Sequence, residues 1–212
     1  MKPKILIYDF DGVICDSVGL KTDAFVELYS SENENIQKLV KVYHLTNGGI
    51  SRFEKIKYFE TVLLGKIYSE EENNKLAQKF AELVKEKVIN SSFIIGVKKF
   101  LEKHSKNHLQ FICTGTPEFE IKEITERMGI SSFFKKIYGS PKSKKEIINK
   151  ILADTRSSCD ECIFFGDAIS DYKAANSFNI PFIGVENNNT VFPVGTKIIK
   201  NFNDPKLKIY NL

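Results

Sequence analysis

Asp9 and Asp11, one residue apart and followed at once by Gly12, close the apolar run Ile5-Leu6-Ile7-Tyr8. Unit charges about 4 Å apart repel by roughly 4 kcal/mol at an effective dielectric of about 20. Two acids held together in a fold therefore call for a cation. Read alone, the pair is explained as well by an acidic turn capping a strand. A second acidic pair, Asp167 and Asp171, follows Gly166 at the end of Cys162-Ile163-Phe164-Phe165. Thr114 closes a third apolar run, Phe111-Ile112-Cys113, and the basic segment 140–145 follows a weaker run at 136–138. Each feature also has a bland explanation. Thr114 can start a turn, Lys144 can be a solvated charge, and Asp171 near a helix start complements the helix dipole.

Lys144 is the sharpest local clue. Ser143-x-x-Glu146 reads as a capping box, which places Lys144 at the first helical position. A cation there opposes the helix dipole by about 0.3–1 kcal/mol, and a neighbouring cluster of acids or an anionic ligand reverses that sign. Lys142 and Lys145 remain open as alternatives for the same part.

The elements that must carry these residues alternate. Residues 4–8, 109–113, 136–138, 162–165 and 181–185 read as strands, with 197–200 as a possible edge strand. Their apolar, β-branched character suits strands covered on both faces of a parallel sheet. Helical patterns lie between them: Val97, Phe100 and Leu101; Ile121, Ile124 and Met128 after Thr116 as N-cap and Pro117 at the first helical position; Ile147, Ile148, Ile151 and Leu152; and Ala174, Ala175 and Phe178. This alternation predicts an α/β fold with helices on both faces. A parallel topology sends the polar strand ends to one edge, where ligands bind in open α/β sheets.

Residues 17–90 break the alternation with successive helical patterns and no strand signal. Ser51-x-x-Glu54 and Ser69-x-x-Glu72 read as capping boxes, Asn47-Gly48-Gly49 as a break, and Gly65 as a stop. The segment is expected to form a small all-helical module inserted after the first strand. Its Gly48-Gly49 pair ahead of a helix start gives a loop suited to anions. Arg52 and Lys55, on the helix that follows, are candidates to read an anionic part of a substrate; as surface charges on an amphipathic helix they would do nothing of the kind.

The 212 residues are 42% apolar and 27% charged, with 31 basic and 27 acidic side chains and a net charge of +4. That composition is ordinary for a globular protein. The basic residues are too dispersed to argue for nucleic acid. Cys159-x-x-Cys162 lacks a second pair at zinc spacing, so Cys15, Cys113, Cys159 and Cys162 are expected to be reduced structural thiols. No signal-peptide pattern or apolar run near 18 residues is present, so a cytoplasmic protein without membrane partners is expected. His44, His104 and His108 have no motif context and read as structural. Asn187-Asn188-Asn189 reads as a surface loop.

In combination these residues resemble the haloacid dehalogenase superfamily of phosphotransferases. Its first motif, hhhDxDGxhxD/S, is matched by residues 7–17. Its second, a strand ending in Thr or Ser, is matched at 111–115. Its third, a basic residue before a helix, is best matched by Lys144. Its fourth, GDxxxD, is matched by Gly166-Asp167-Ala168-Ile169-Ser170-Asp171. Many relatives have Ser where Ala168 stands, a departure of little expected consequence. The helical insertion resembles the family's C1 cap, near phosphoglycolate phosphatases and β-phosphoglucomutases.

The resemblance implies a Rossmann-like core of residues 1–16 and 91–212 with a cap of residues 17–90. It implies a Mg²⁺-dependent phosphatase acting on a small phosphorylated metabolite, as monomer or homodimer. Asp9 would be the nucleophile that forms an aspartyl-phosphate, and Asp11 the proton shuttle. Thr114, Gly115 and Lys144 would bind phosphate. Asp9, the carbonyl of Asp11 and Asp167 would hold Mg²⁺, with Asp171 a ligand or one water removed. A phosphomutase built from the same parts is the alternative. A dehalogenase would leave Asp11 without a use, and a phospho-receiver or other binding protein would not need the helical insertion.

Overall fold

The computed structural model describes residues 3–187 and 190–210. Six parallel strands form one sheet: β1 (Ile5–Tyr8), β2 (Leu109–Pro117), β3 (Lys136–Ser140), β4 (Cys162–Gly166), β5 (Phe182–Val185) and β6 (Lys197–Ile199). Their spatial order is β3-β2-β1-β4-β5-β6, so the chain reverses direction across the sheet between β1 and β4. Crevices at such switch points are where doubly wound sheets bind ligands. Registers that pair Tyr8 with both Ile112 and Phe165 bring the ends of β1 and β4 level, while β2 runs on to Pro117.

β1 is covered on both faces, as its continuous apolar run requires. Leu6 and Tyr8 point into a core with α5 (Val97–His104) and α6 (Glu118–Arg127). Ile5 and Ile7 point into a second core with α7 (Lys144–Thr155) and α8 (Ile169–Asn176). Four helices lie between β1 and α5: α1 (Val18–Leu28), α2 (Glu34–Thr46), α3 (Arg52–Tyr58) and α4 (Glu70–Ile89). Phe25, Tyr29, Phe59 and Phe80 meet edge to face or tilted between them, and this aromatic centre is continuous with the first core. The insertion is therefore packed onto the sheet's helices rather than tethered beside them.

Local starts and stops differ from the expectations in small ways. Ser143 and Glu146 form the expected reciprocal box. Ser69 accepts from Glu72 N without the reciprocal bond, and Ser51 accepts from Phe53 N rather than Glu54 N, so neither expected box closes. Pro117, not Thr116, is the N-cap of α6, because β2 runs on to Pro117 with a shift in its pairing to β3 after Cys113. α3 widens into a π-helical turn, Phe59–Leu63, ahead of Gly65. All four cysteines are free thiols, and burial pushes Cys15 up to about 11 and Cys162 up to about 12. Among the described residues no helix is long and apolar enough to cross a membrane. Asn188 and Asn189 of the expected surface loop lie outside the described residues.

Candidate active site

At the carboxyl edge of the sheet, β1 delivers Asp9, which is 2% exposed. Its Oδ2 lies 3.1 Å from Lys144 Nζ, while its Oδ1 is buried with no hydrogen-bond partner. An orphaned carboxylate oxygen is unusual inside a protein and marks a position completed by something else. Asp167 and Asp171 arrive from β4 and the first turn of α8, and one oxygen from each of Asp9, Asp167 and Asp171 falls within 4.8 Å of the others. Gly12 makes the close approach of β1's loop possible. Its φ is +77°, and a Cβ there would sit 2.2 Å from Asp167 Oδ2.

Lys144 stands where its capping box places it, at the head of α7, and its ammonium also reaches Asp171. Lys142 and Lys145 are exposed, and Lys142 lies 3.6 Å from Glu118 instead, so of the three lysines Lys144 is the one seen to meet Asp9 and Asp171. Burial alone would lower the Lys144 pKa, but Asp171 and Asp9 carry it well above its usual range. Asp171 is pushed up to about 7, chiefly by burial and then by Asp9, against the opposing pull of Lys144. Burial, then Asp9 and Asp171, push Asp167 up as well. Three buried carboxylates share one lysine, more acid than one cation balances once all three are ionised. A set of hard oxygen donors with one oxygen unpartnered fits Mg²⁺.

Asp11 points the other way, toward the helical insertion. Its Oδ2 receives Lys21 Nζ at 2.6 Å and Thr116 Oγ1 at 3.2 Å, and its Oδ1 receives Ser17 Oγ at 2.6 Å. Burial opposes ionisation here, yet Lys21 holds the carboxyl below its ordinary range. The Asp11 side chain lies outside the metal-fitting cluster, so any contribution to a metal comes through its backbone, as the resemblance implied. Thr114, 1% exposed, and Gly115 line the cavity between Asp9 and the insertion.

The insertion closes over this edge. Gly115 packs against Gly49, where a Cβ would come within 2.7 Å of the Gly49 carbonyl oxygen. Ser170 Oγ donates to the Gly48 carbonyl at 2.7 Å. Arg52 and Lys55 both line the cavity and are buried, so neither is a surface charge. Arg52, however, is already engaged: Nη2 reaches Glu120 Oε1 of α6 at 2.5 Å, and the guanidinium lies over the Phe80 ring. Lys55 Nζ lies 2.9 Å from His44 Nδ1.

Several residues placed around the site were not read as site candidates from the sequence: Lys21, Thr116, Glu120, His44, Asn187, and Ser17 beyond its place in the first motif. Ser17 and Lys21 share a helical face four residues apart, and Thr116 shares a strand face with Thr114, so periodicity carried a signal for three of them. His44, read as structural, lines the cavity and meets Lys55. Asn187, just beyond β5, donates to the Asp167 carbonyl at 2.7 Å and to its Oδ2 at 3.1 Å.

Residues 6–185 match the family model of haloacid dehalogenase-like hydrolases. Solved structures share the fold over nearly the whole chain. A predicted phosphoglycolate phosphatase from Haemophilus somnus 129pt is 18% identical with a TM-score of 0.77, covering 99% of this chain and 98% of that one. β-Phosphoglucomutase from Clostridium difficile is 22% identical with a TM-score of 0.76, covering 99% and 97%. The HAD-hydrolase YfnB from Bacillus subtilis, bound to magnesium in a structure that reveals interdomain movement, is 17% identical with a TM-score of 0.74, covering 100% of both chains.

Proposed function

The chain belongs to the haloacid dehalogenase-like hydrolase family, and on that premise we propose that it is a Mg²⁺-dependent phosphatase of small phosphomonoesters, working through an aspartyl-phosphate on Asp9. The observation that carries the reading is the unpartnered, buried Asp9 Oδ1, flanked by Lys144 and two further acids.

Each residue has a part that follows from its place. Asp9 attacks phosphorus, dividing one hydrolysis into two displacements. Lys144, held by Asp9 and Asp171, stays charged and offsets the dianion of the incoming phosphate. Thr114 and the Gly115 amide donate to the phosphoryl oxygens, a task of positioning and charge neutralisation that dominates phosphoryl transfer. Asp11 lies on the insertion side of Asp9, where a leaving group must depart; Lys21 holds it ionised in the free protein, so it gains a proton as the anionic substrate binds, gives that proton to the leaving oxygen, and takes one back from the attacking water. Its contacts with Lys21, Ser17 and Thr116 fix its orientation. Asp9, the Asp11 carbonyl, Asp167 and Asp171 would hold Mg²⁺, which supplies charge neutralisation and alignment of phosphate and carboxylate. Residues 17–90 act as the cap that excludes water and selects the leaving group.

The cavity volume is about 70 Å³, a few times what one water occupies by the same measure. A phosphoryl group fills much of it, which supports a leaving portion of only a few heavy atoms. The test is a screen of small phosphorylated metabolites with and without Mg²⁺, with Asp9→Asn as control. Phosphate release that needs both Mg²⁺ and Asp9 supports the reading, and release that survives Asp9→Asn removes its mechanism.

A further inference from the structure

Four lysine or arginine side chains are buried among the described residues: Lys21, Arg52, Lys55 and Lys144. Three of them end on carboxylates: Lys21 on Asp11, Arg52 on Glu120, and Lys144 on Asp9 and Asp171. Lys55 does not. Although only 3% exposed, it touches the His44 ring at 2.9 Å and the His44 carbonyl at 3.5 Å, and it lies 5.8 Å from the Phe25 ring centroid. A lysine this deep without an acid is rare, because burial disfavours its charge unless a partner compensates. The side chain also lines the cavity that holds Asp9 and Asp11.

Building on the phosphatase reading, we infer that Lys55 is the specificity-determining residue of the cavity, and that the leaving portion of the substrate carries a carboxylate-sized anion which Lys55 binds. The anion supplies the partner that the fold withholds. A carboxylate is a compact anion that suits a cavity of this size beside a phosphoryl group. Arg52 is excluded from this duty because Glu120 already occupies it, which separates the two cap residues that the sequence treated alike.

The surroundings also tie recognition to pH. From α1, Lys21 faces the Lys55 amine; from α2, the His44 ring; on its own helix, Arg52 is neutralised by Glu120 of α6. Asp11 and Asp167 line the same cavity, and Lys144 acts on Lys55 from beside Asp9. Burial first, then Lys21, push Lys55 down to about 7, against the pull of Asp11 and Asp167. Burial, Lys55 and Lys21 keep His44 neutral. Lys55 is therefore charged below about pH 7 and largely uncharged above it until an anion arrives. Binding an anionic leaving portion draws in a proton, and its affinity weakens as pH rises.

The test uses Mg²⁺-loaded Asp9→Asn protein, which is expected to bind without turnover, and two esters of nearly equal size: 2-phosphoglycolate, with a carboxylate, and 2-hydroxyethyl phosphate, without one. Calorimetry at pH 6 should give tenfold or tighter binding of the carboxylate ester, and the ratio should shrink at pH 8.5. Adding Lys55→Met should bring the ratio near one at both pH values. Adding Lys55→Arg should keep the preference and remove its pH dependence. A ratio near one without the Lys55 change, no binding of either ester, or a ratio that survives Lys55→Met would overturn the assignment. A merely structural role for Lys55 weakens both esters alike and leaves the ratio unmoved. Because no hydrolysis is measured, failure here is separate from failure of the wild-type protein to release phosphate, which counts against the phosphatase reading instead.

Discussion

Replacing Glu120 by alanine should destabilise the protein more than any surface ion pair could. Arg52 and Glu120 side chains are 4% and 2% exposed and meet at 2.5 Å across the junction of α3 and α6. Without Glu120 the guanidinium keeps only the Ala77 carbonyl at 3.5 Å and the face of Phe80 at 4.8 Å. Removing one partner of a buried pair leaves an uncompensated charge and costs about 3–5 kcal/mol. At roughly 2–4 °C per kcal/mol for a chain of this size, Tm should fall by about 6–20 °C. Urea unfolding followed by circular dichroism measures the loss directly. The double variant Arg52→Met, Glu120→Leu should recover most of it, because both charges and their desolvation then disappear together. A loss below about 1 kcal/mol in Glu120→Ala, or no recovery in the double variant, would refute the claim that this pair is buried and bridges insertion and core.

Two further outcomes follow from the charge distribution. Asp167 and Asp171 carry raised pKa values, Asp171 to about 7. In the metal-free protein they hold protons that the unfolded chain releases near pH 4, so the stability they contribute is greatest below that pH and is lost as pH rises toward 7. Mg²⁺ needs the deprotonated forms, so its stabilisation, read as the rise in Tm on adding Mg²⁺, should be larger at pH 8 than at pH 5; an equal rise at both would contradict the assignment. Lys21→Met removes the cation that holds Asp11 low, so the limb of the pH–rate profile belonging to Asp11 should move to higher pH, and an unmoved limb would take Asp11 out of proton transfer.

The acidic cluster was legible because its residues are local in sequence. Asp9 and Asp11 sit in one motif at the end of a strand whose buried character is written in Ile5-Leu6-Ile7-Tyr8, and Asp167 with Asp171 repeats the pattern. The alternation of strands and helices pointed to a parallel sheet without giving its strand order, and the observed order β3-β2-β1-β4-β5-β6 is one such an alternation allows. The partners of the cap residues were not legible. Arg52 meets Glu120 across 68 positions, and nothing near either residue announces the other. Lys55 and His44 share no motif, and their importance arises only when α2 and α3 pack around Phe25 and enclose both side chains. Thr116 was read as a helix cap because Pro117 follows it; the longer course of β2 gives its hydroxyl to Asp11 instead.

The central claim, that Asp9 accepts the phosphoryl group, is tested most directly by trapping it there. Acid-quenched protein, after rapid mixing with Mg²⁺ and a ³²P-labelled phosphomonoester that it hydrolyses, should carry label that is stable in acid and released by hydroxylamine, as an acyl phosphate is. Borohydride reduction and peptide mapping should convert residue 9, and no other, to homoserine, and Asp9→Asn should carry no label. Hydrolysis without labelled protein, or label on a peptide lacking Asp9, would contradict the account.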